Sequence, residues 1–168
     1  FLADGSKTRS MHVPAEFDDI RCYYDEEIHP ALEEVLQVPQ IAVVLAGVVG
    51  ADMAEYMLRV LHRVHSIEDF QREVIIILLT ALERKTCTDV CLQGIEHADK
   101  ENGNFYISNH RDIVLDSALL NSHLYFKGHH TTQIAIGNNL LIYPWIQQVV
   151  RMNKSFVVKR DGSVRQQL

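Results

Sequence analysis

The sequence predicts an α/β fold: an N-terminal helical region followed by a β-α-β-α-β core with a mainly parallel sheet, truncated at the C-terminus. Three observations carry this. Apolar residues recur at three- and four-residue spacings up to about residue 100; the polar turn Lys100-Glu101-Asn102-Gly103-Asn104 ends that pattern; and short apolar runs then alternate with helical periodicity. Such alternation implies parallel strands joined by right-handed crossovers.

Each element has its own warrant. Pro14-Ala15-Glu16-Phe17 opens a segment that runs through Tyr23, Tyr24 and Ile28, and Pro30 is placed to start a second helix through Leu32, Val35 and Leu36. Pro39 interrupts the pattern. From Ala51 to His65, the residues Met53, Tyr56, Met57, Val60, Leu61 and Val64 form one stripe, and from Ile67 to Arg84 a second helix carries Phe70, Val74, Ile77, Leu78 and Leu82. Core packing is the first reading of both stripes, contact with a membrane surface the second. Beyond the turn, Phe105 to Ser108 reads as a strand, Asp112 to Leu124 as a helix and Thr132 to Ile136 as a strand. Asn139 to Met152 then reads as a helix and Ser155 to Lys159 as a strand. Residues 1–13 read as a tail or cloning remnant and 14–100 as the helical region. The remainder, 101–168, stops too soon after its last strand to close a sheet of this kind.

Composition narrows the function. At 168 residues, 47% apolar and 23% charged, the chain suffices for one globular domain. A net charge of -6 argues against a nucleic-acid footprint, although Arg151, Lys154, Lys159, Arg160 and Arg165 gather near the C-terminal end and leave room for a local anion site. Cys22, Cys87 and Cys91 form no paired Cys-x2-Cys framework, which points to buried thiols in a reducing compartment. The apolar runs at 41–50 and 74–79 fall short of the roughly 20 residues a membrane span needs.

The stretch Ile107-Ser108-Asn109-His110-Arg111-Asp112-Ile113-Val114-Leu115-Asp116 concentrates the chemistry. His110 falls where a strand delivers the chain into a helix, the place where ligands gather in α/β units. Asn109 suits an N-cap, and Asp112 suits a reciprocal cap that complements the positive end of the helix dipole. The same dipole favours a neutral imidazole, so His110 is a candidate general base, with Asp116 as its orienting carboxylate. Six residues of helix rotate by about 600°, so His110 must lie in the turn for Asp116 to reach it. The plain alternative is a strand end and a helix cap without chemistry.

These residues resemble the glycerolipid acyltransferases, the group of glycerol-3-phosphate and 1-acylglycerol-3-phosphate acyltransferases, whose first signature is Asn-His-x4-Asp after a strand. Here the spacing is His-x5-Asp, so either Asp116 reaches His110 through a longer turn or Asp112 takes its place; Asp116 is preferred because it leads into the apolar helix Ser117-Ala118-Leu119-Leu120. The family continues with a proline-bearing helix and a strand ending in arginine, close to Gly-x-x-Phe-Ile-x-Arg. Leu140-Leu141-Ile142-Tyr143-Pro144-Trp145-Ile146 and Lys154-Ser155-Phe156-Val157-Val158-Lys159-Arg160 are similar, with Lys154 at the glycine position and Arg160 at the phosphate-binding arginine. A third, Pro-Glu-Gly-Thr-like turn has no counterpart here. The resemblance covers about residues 105–160 and makes 101–168 the N-terminal part of a catalytic domain.

What the resemblance implies is transfer of a fatty acyl group from acyl-CoA or acyl carrier protein to a glycerol-phosphate hydroxyl. His110 would be the base, Asp116 or Asp112 its partner, and Arg160 the phosphate contact, with Lys159 and Arg151 as lesser candidates. It implies neither metal nor bound cofactor, the acyl carrier being a co-substrate. It also implies a cytoplasmic enzyme peripheral to the inner face of the membrane. A protein kinase is disfavoured, because Ser117 stands where the His-Arg-Asp motif needs Asn. No Gly-x-Ser-x-Gly elbow suggests an esterase, and neither His129-His130 nor His62 with His65 has a second ligand set for a metal. A non-catalytic interaction module that keeps the fold is the remaining alternative.

Overall fold

The computed structural model describes residues 12–109, 111–112 and 114–160. After a 3-10 turn at Ala15–Phe17, the chain forms α1 (Asp25–Leu36), α2 (Gln40–Val49) and α3 (Ala51–Leu61). An unbroken helical run follows, made of α4 (Ile67–Phe70), a π-helical turn (Gln71–Ile75) and α5 (Ile76–Thr86). Then come α6 (Leu115–Phe126), β1 (Ile134–Gly137), α7 (Pro144–Met152) and β2 (Ser155–Val158).

Pro30 lies inside α1 and does not start a helix. The start moves upstream because the Glu27 carboxylate accepts the Tyr24 backbone N–H at 2.7 Å, and Asp25, Glu26 and Glu27 together complement the positive end of the helix. Gly50 separates α2 from α3 at φ 89, in the left-handed region that a side chain would strain. The core is built from Ile28 and Leu32 of α1, Met57 and Leu61 of α3, Phe70, and Met152 of α7. The stripe on α3 only partly enters it: Met57 and Leu61 are buried, whereas Met53 and Tyr56 face solvent. No single described helix is long and apolar enough to cross a membrane, and α1 and α2, which together reach the length, meet at 97°.

The sheet has two described strands, β1 and β2, paired in parallel with Ile134 opposite Ser155 and Gly137 opposite Val158. Their crossover is α7, which starts at Pro144 and not at Asn139, because Asn138–Leu140 forms a 3-10 turn and proline suits the first helical position. Thus the last β-α-β unit of the expected core is present. Among the described residues the expected first strand is absent: Phe105–Ser108 has no ladder partner there, and Phe105 and Ile107 are 89% and 86% exposed. Two apolar side chains on one face cannot hold a strand whose backbone groups find no neighbouring strand. Residues 87–100, expected to be helical, contain only the 3-10 turn Ile95–His97 among regular elements.

On its other edge, β2 receives the N-terminal segment, as the Val157 N–H donates to the Ile20 carbonyl at 2.7 Å. Arg21 anchors that segment through a fork onto Glu27, at 2.6 and 3.0 Å, and a bond to Asp18 at 2.7 Å. The pairing holds the Glu27 carboxyl below the usual carboxylate range.

Lys154, between α7 and β2, has φ 57. This left-handed conformation is where the resemblance expects glycine, so the backbone follows that pattern with a lysine in place. The side chain compensates: its ammonium donates to the Thr131 hydroxyl at 2.9 Å, and that hydroxyl donates to Gln71 Oε1 at 2.7 Å. Gln71 Nε2 reaches Asn153 at 3.1 Å, so one polar chain ties the π-helical turn to the approaches of both strands. Burial pushes the Lys154 ammonium below its ordinary pKa. Lys154→Gly and Lys154→Ala both lose the bond, but only alanine keeps the strain; the glycine variant is expected to be more stable by about 1 kcal/mol in urea unfolding.

Candidate active site

The turn before α6 is held by two carboxylates. Asp112 Oδ1 accepts the backbone N–H groups of Val114 at 2.9 Å and Leu115 at 2.7 Å, so it satisfies donors that the first turn of the helix would leave unpaired. Asp112, not Asn109, is the capping acceptor, and α6 accordingly begins at Leu115 rather than at Asp112. Asp116 points back over the same turn, where Oδ2 accepts the N–H groups of Arg111 at 2.7 Å and Asp112 at 3.0 Å. The Asp116 carboxylate is thereby set against the backbone N–H groups of Arg111 and Asp112. His110 itself lies outside the described residues.

A second group of residues lies at the end of the β1–β2 pair. The chain reverses after Phe126, and the Thr132 N–H is already back beside Asn121, donating to its Oδ1 at 2.6 Å. β1 and β2 are parallel, so their carboxyl ends lie on the same side of the sheet. Arg160 follows that end, its backbone N–H bonded to Asn138 Oδ1 at 3.1 Å. Arg160 is an exposed residue and has no ion-pair partner among the described residues.

The other two basic candidates are engaged elsewhere. Lys159 pairs with Asp19 of the N-terminal segment, and the ammonium holds the Asp19 carboxyl below its ordinary value. Arg151 is only 9% exposed; Nε donates to the Arg21 carbonyl at 2.8 Å and Nη2 to the Asp18 carbonyl at 2.6 Å. Its guanidinium also lies 4.3 Å from the centre of the Tyr23 ring. Arg151, expected as a lesser anion contact, is thus turned toward the N-terminal segment and clamps it. Its place on α7 next to Met152 explains this, since that part of the helix faces the core.

Several smaller expectations also meet the geometry. Cys22 and Cys87 are half-buried, but Cys91 is exposed. His62 bonds Glu33 at 3.0 Å, and the His65 ring lies tilted at 39° against that of His29, with ring centres 4.5 Å apart. Among the described residues, no three His, Cys, Asp or Glu side chains are grouped to hold a metal ion. Sequence reasoning missed the participation of Gly137 and Asn138 at the end of β1. The signal was available in the Gly-Asn-Asn run, because a glycine in a strand often marks the close approach of another group.

Residues 89–168 match the acyltransferase family model, just under half of the chain. The matched part contains both the Asp112–Asp116 turn and the β1-α7-β2 unit. This supports an acyltransferase enzyme at the level of reaction class. Comparison with curated proteins and with solved structures gives no match.

Proposed function

We propose that the chain carries part of an acyltransferase that moves a fatty acyl group from acyl-CoA or acyl carrier protein to the hydroxyl of glycerol-3-phosphate or 1-acylglycerol-3-phosphate, in phospholipid synthesis. The observation that carries the reading is the acyltransferase match over the segment in which Asp116 accepts the N–H of Arg111, the residue after His110 in sequence. His110 takes the hydroxyl proton as the acceptor oxygen attacks the thioester carbonyl. The tetrahedral adduct then collapses, the C–S bond breaks, and the leaving thiolate recovers the proton from the imidazolium. Asp116 stabilises that imidazolium while it exists. Arg160 holds the acceptor phosphate through a charge-assisted fork, a role open to an exposed arginine without an ion-pair partner among the described residues. Lys159 lends a weaker positive charge from its pair with Asp19.

The acceptor and product are lipids or lipid precursors, and the protein is proposed to work at the inner face of the membrane without spanning it. The exposed Val43 and Val44 of the uncharged helix α2 support such peripheral contact. The test is to incubate the full-length protein with radiolabelled acyl-CoA, or acyl-loaded carrier protein, and each glycerol-phosphate acceptor. Phosphate-dependent formation of an acyl ester is expected. No product from any donor and acceptor pair would instead favour the non-catalytic module.

A further inference from the structure

Gly137 closes β1 at φ -71 and ψ 137, a conformation any residue adopts, so its backbone does not require glycine. Space does. A Cβ at this position would lie 2.7 Å from Arg160 Nε, 3.2 Å from Arg160 Cζ and 2.5 Å from Asn139 Oδ1, all well inside van der Waals contact. The Arg160 side chain therefore rests on the bare backbone at the end of β1. Its own backbone is fixed there by the bond from its N–H to Asn138 Oδ1 at 3.1 Å. Gly137 is buried, while Arg160 is exposed and carries no ion pair among the described residues.

We infer that Gly137 and Asn138 are positioning residues for the acceptor: the missing side chain and the Asn138 bond set the guanidinium of Arg160 at the carboxyl end of the sheet, facing the incoming phosphate. The inference rests on Arg160 as the phosphate contact. An arginine fork is directional, and a long side chain left free loses both its geometry and its entropic advantage. The cradle supplies that order without a salt bridge, so the positive charge stays available for the ligand. An added methyl meets side-chain atoms, which can swing away, so the fold tolerates it while the guanidinium is displaced.

The test compares acceptor KM and kcat in the full-length enzyme for the wild type, Gly137→Ala, Arg160→Ala and the double variant. Arg160→Ala is expected to raise KM for the phosphate acceptor by about ten- to a hundredfold, the factor a lost charged hydrogen bond gives. Gly137→Ala is expected to raise it by a large part of that factor, with kcat and the melting temperature nearly unchanged. The double variant should be no worse than Arg160→Ala, because Gly137 acts through Arg160. An unchanged KM in Gly137→Ala, or additive losses in the double variant, would overturn the inference while leaving the phosphate contact intact. An unchanged KM in Arg160→Ala would overturn the reading of Arg160 and the cradle with it.

Discussion

Replacing His110 with alanine is expected to lower kcat for acyl transfer by about 10²–10⁴-fold, the usual contribution of a positioned general base, with a much smaller change in acceptor KM. The companion variants decide which carboxylate serves it. Asparagine retains a side-chain oxygen, so Asp112→Asn keeps the acceptor for the Val114 and Leu115 N–H groups, and Asp116→Asn keeps one for those of Arg111 and Asp112. Neither should unfold the turn, and each removes only the charge. If Asp116 stabilises the imidazolium, Asp116→Asn lowers kcat and Asp112→Asn leaves it near the wild-type value. The opposite ranking would assign the partner to Asp112. Wild-type kcat in His110→Ala would remove the base assignment altogether. The measurement is steady-state turnover against acceptor concentration, with melting temperatures recorded to exclude unfolding.

Much of the architecture was legible because local pattern and tertiary environment agree. The stripes on α3 and on the α4-to-α5 run bury Met57, Leu61, Phe70 and Val74, and the β1-α7-β2 unit follows the predicted alternation. Errors arose where a local signal depended on a partner the sequence could not supply. Phe105 and Ile107 alternate like strand residues, but a strand exists only when another pairs with it. Pro30 resembled a helix start until the Glu27 bond to Tyr24 set the start upstream. The candidate site divides along the same line. Asp112 was recognisable as a cap from its spacing, whereas charge and position could not separate Arg151, turned into the fold, from Arg160, turned out of it. The cradle under Arg160 escaped notice because Gly137 and Arg160 meet only once β1 and β2 are side by side.

That separation of the two arginines gives the second large effect. Arg151→Ala should destabilise the protein by about 3–5 kcal/mol, because it strips donors from two backbone carbonyls and removes a cation from the face of Tyr23. The carbonyls of Asp18 and Arg21 lie in the segment whose Ile20 carbonyl meets the edge of β2, so the loss should loosen that edge as well. For a chain of this size, the change corresponds to a melting temperature lower by roughly 10 °C or more. Arg151→Lys keeps the charge but cannot send two planar N–H groups to two carbonyls, and should fall between. Arg160→Ala, by contrast, removes an exposed side chain and should change stability by about 0.5 kcal/mol or less. Thermal unfolding of the three variants beside the wild type checks this directly. Equal stability of Arg151→Ala and Arg160→Ala would mean that the clamp contributes nothing, and Arg151 would return as a candidate for the phosphate.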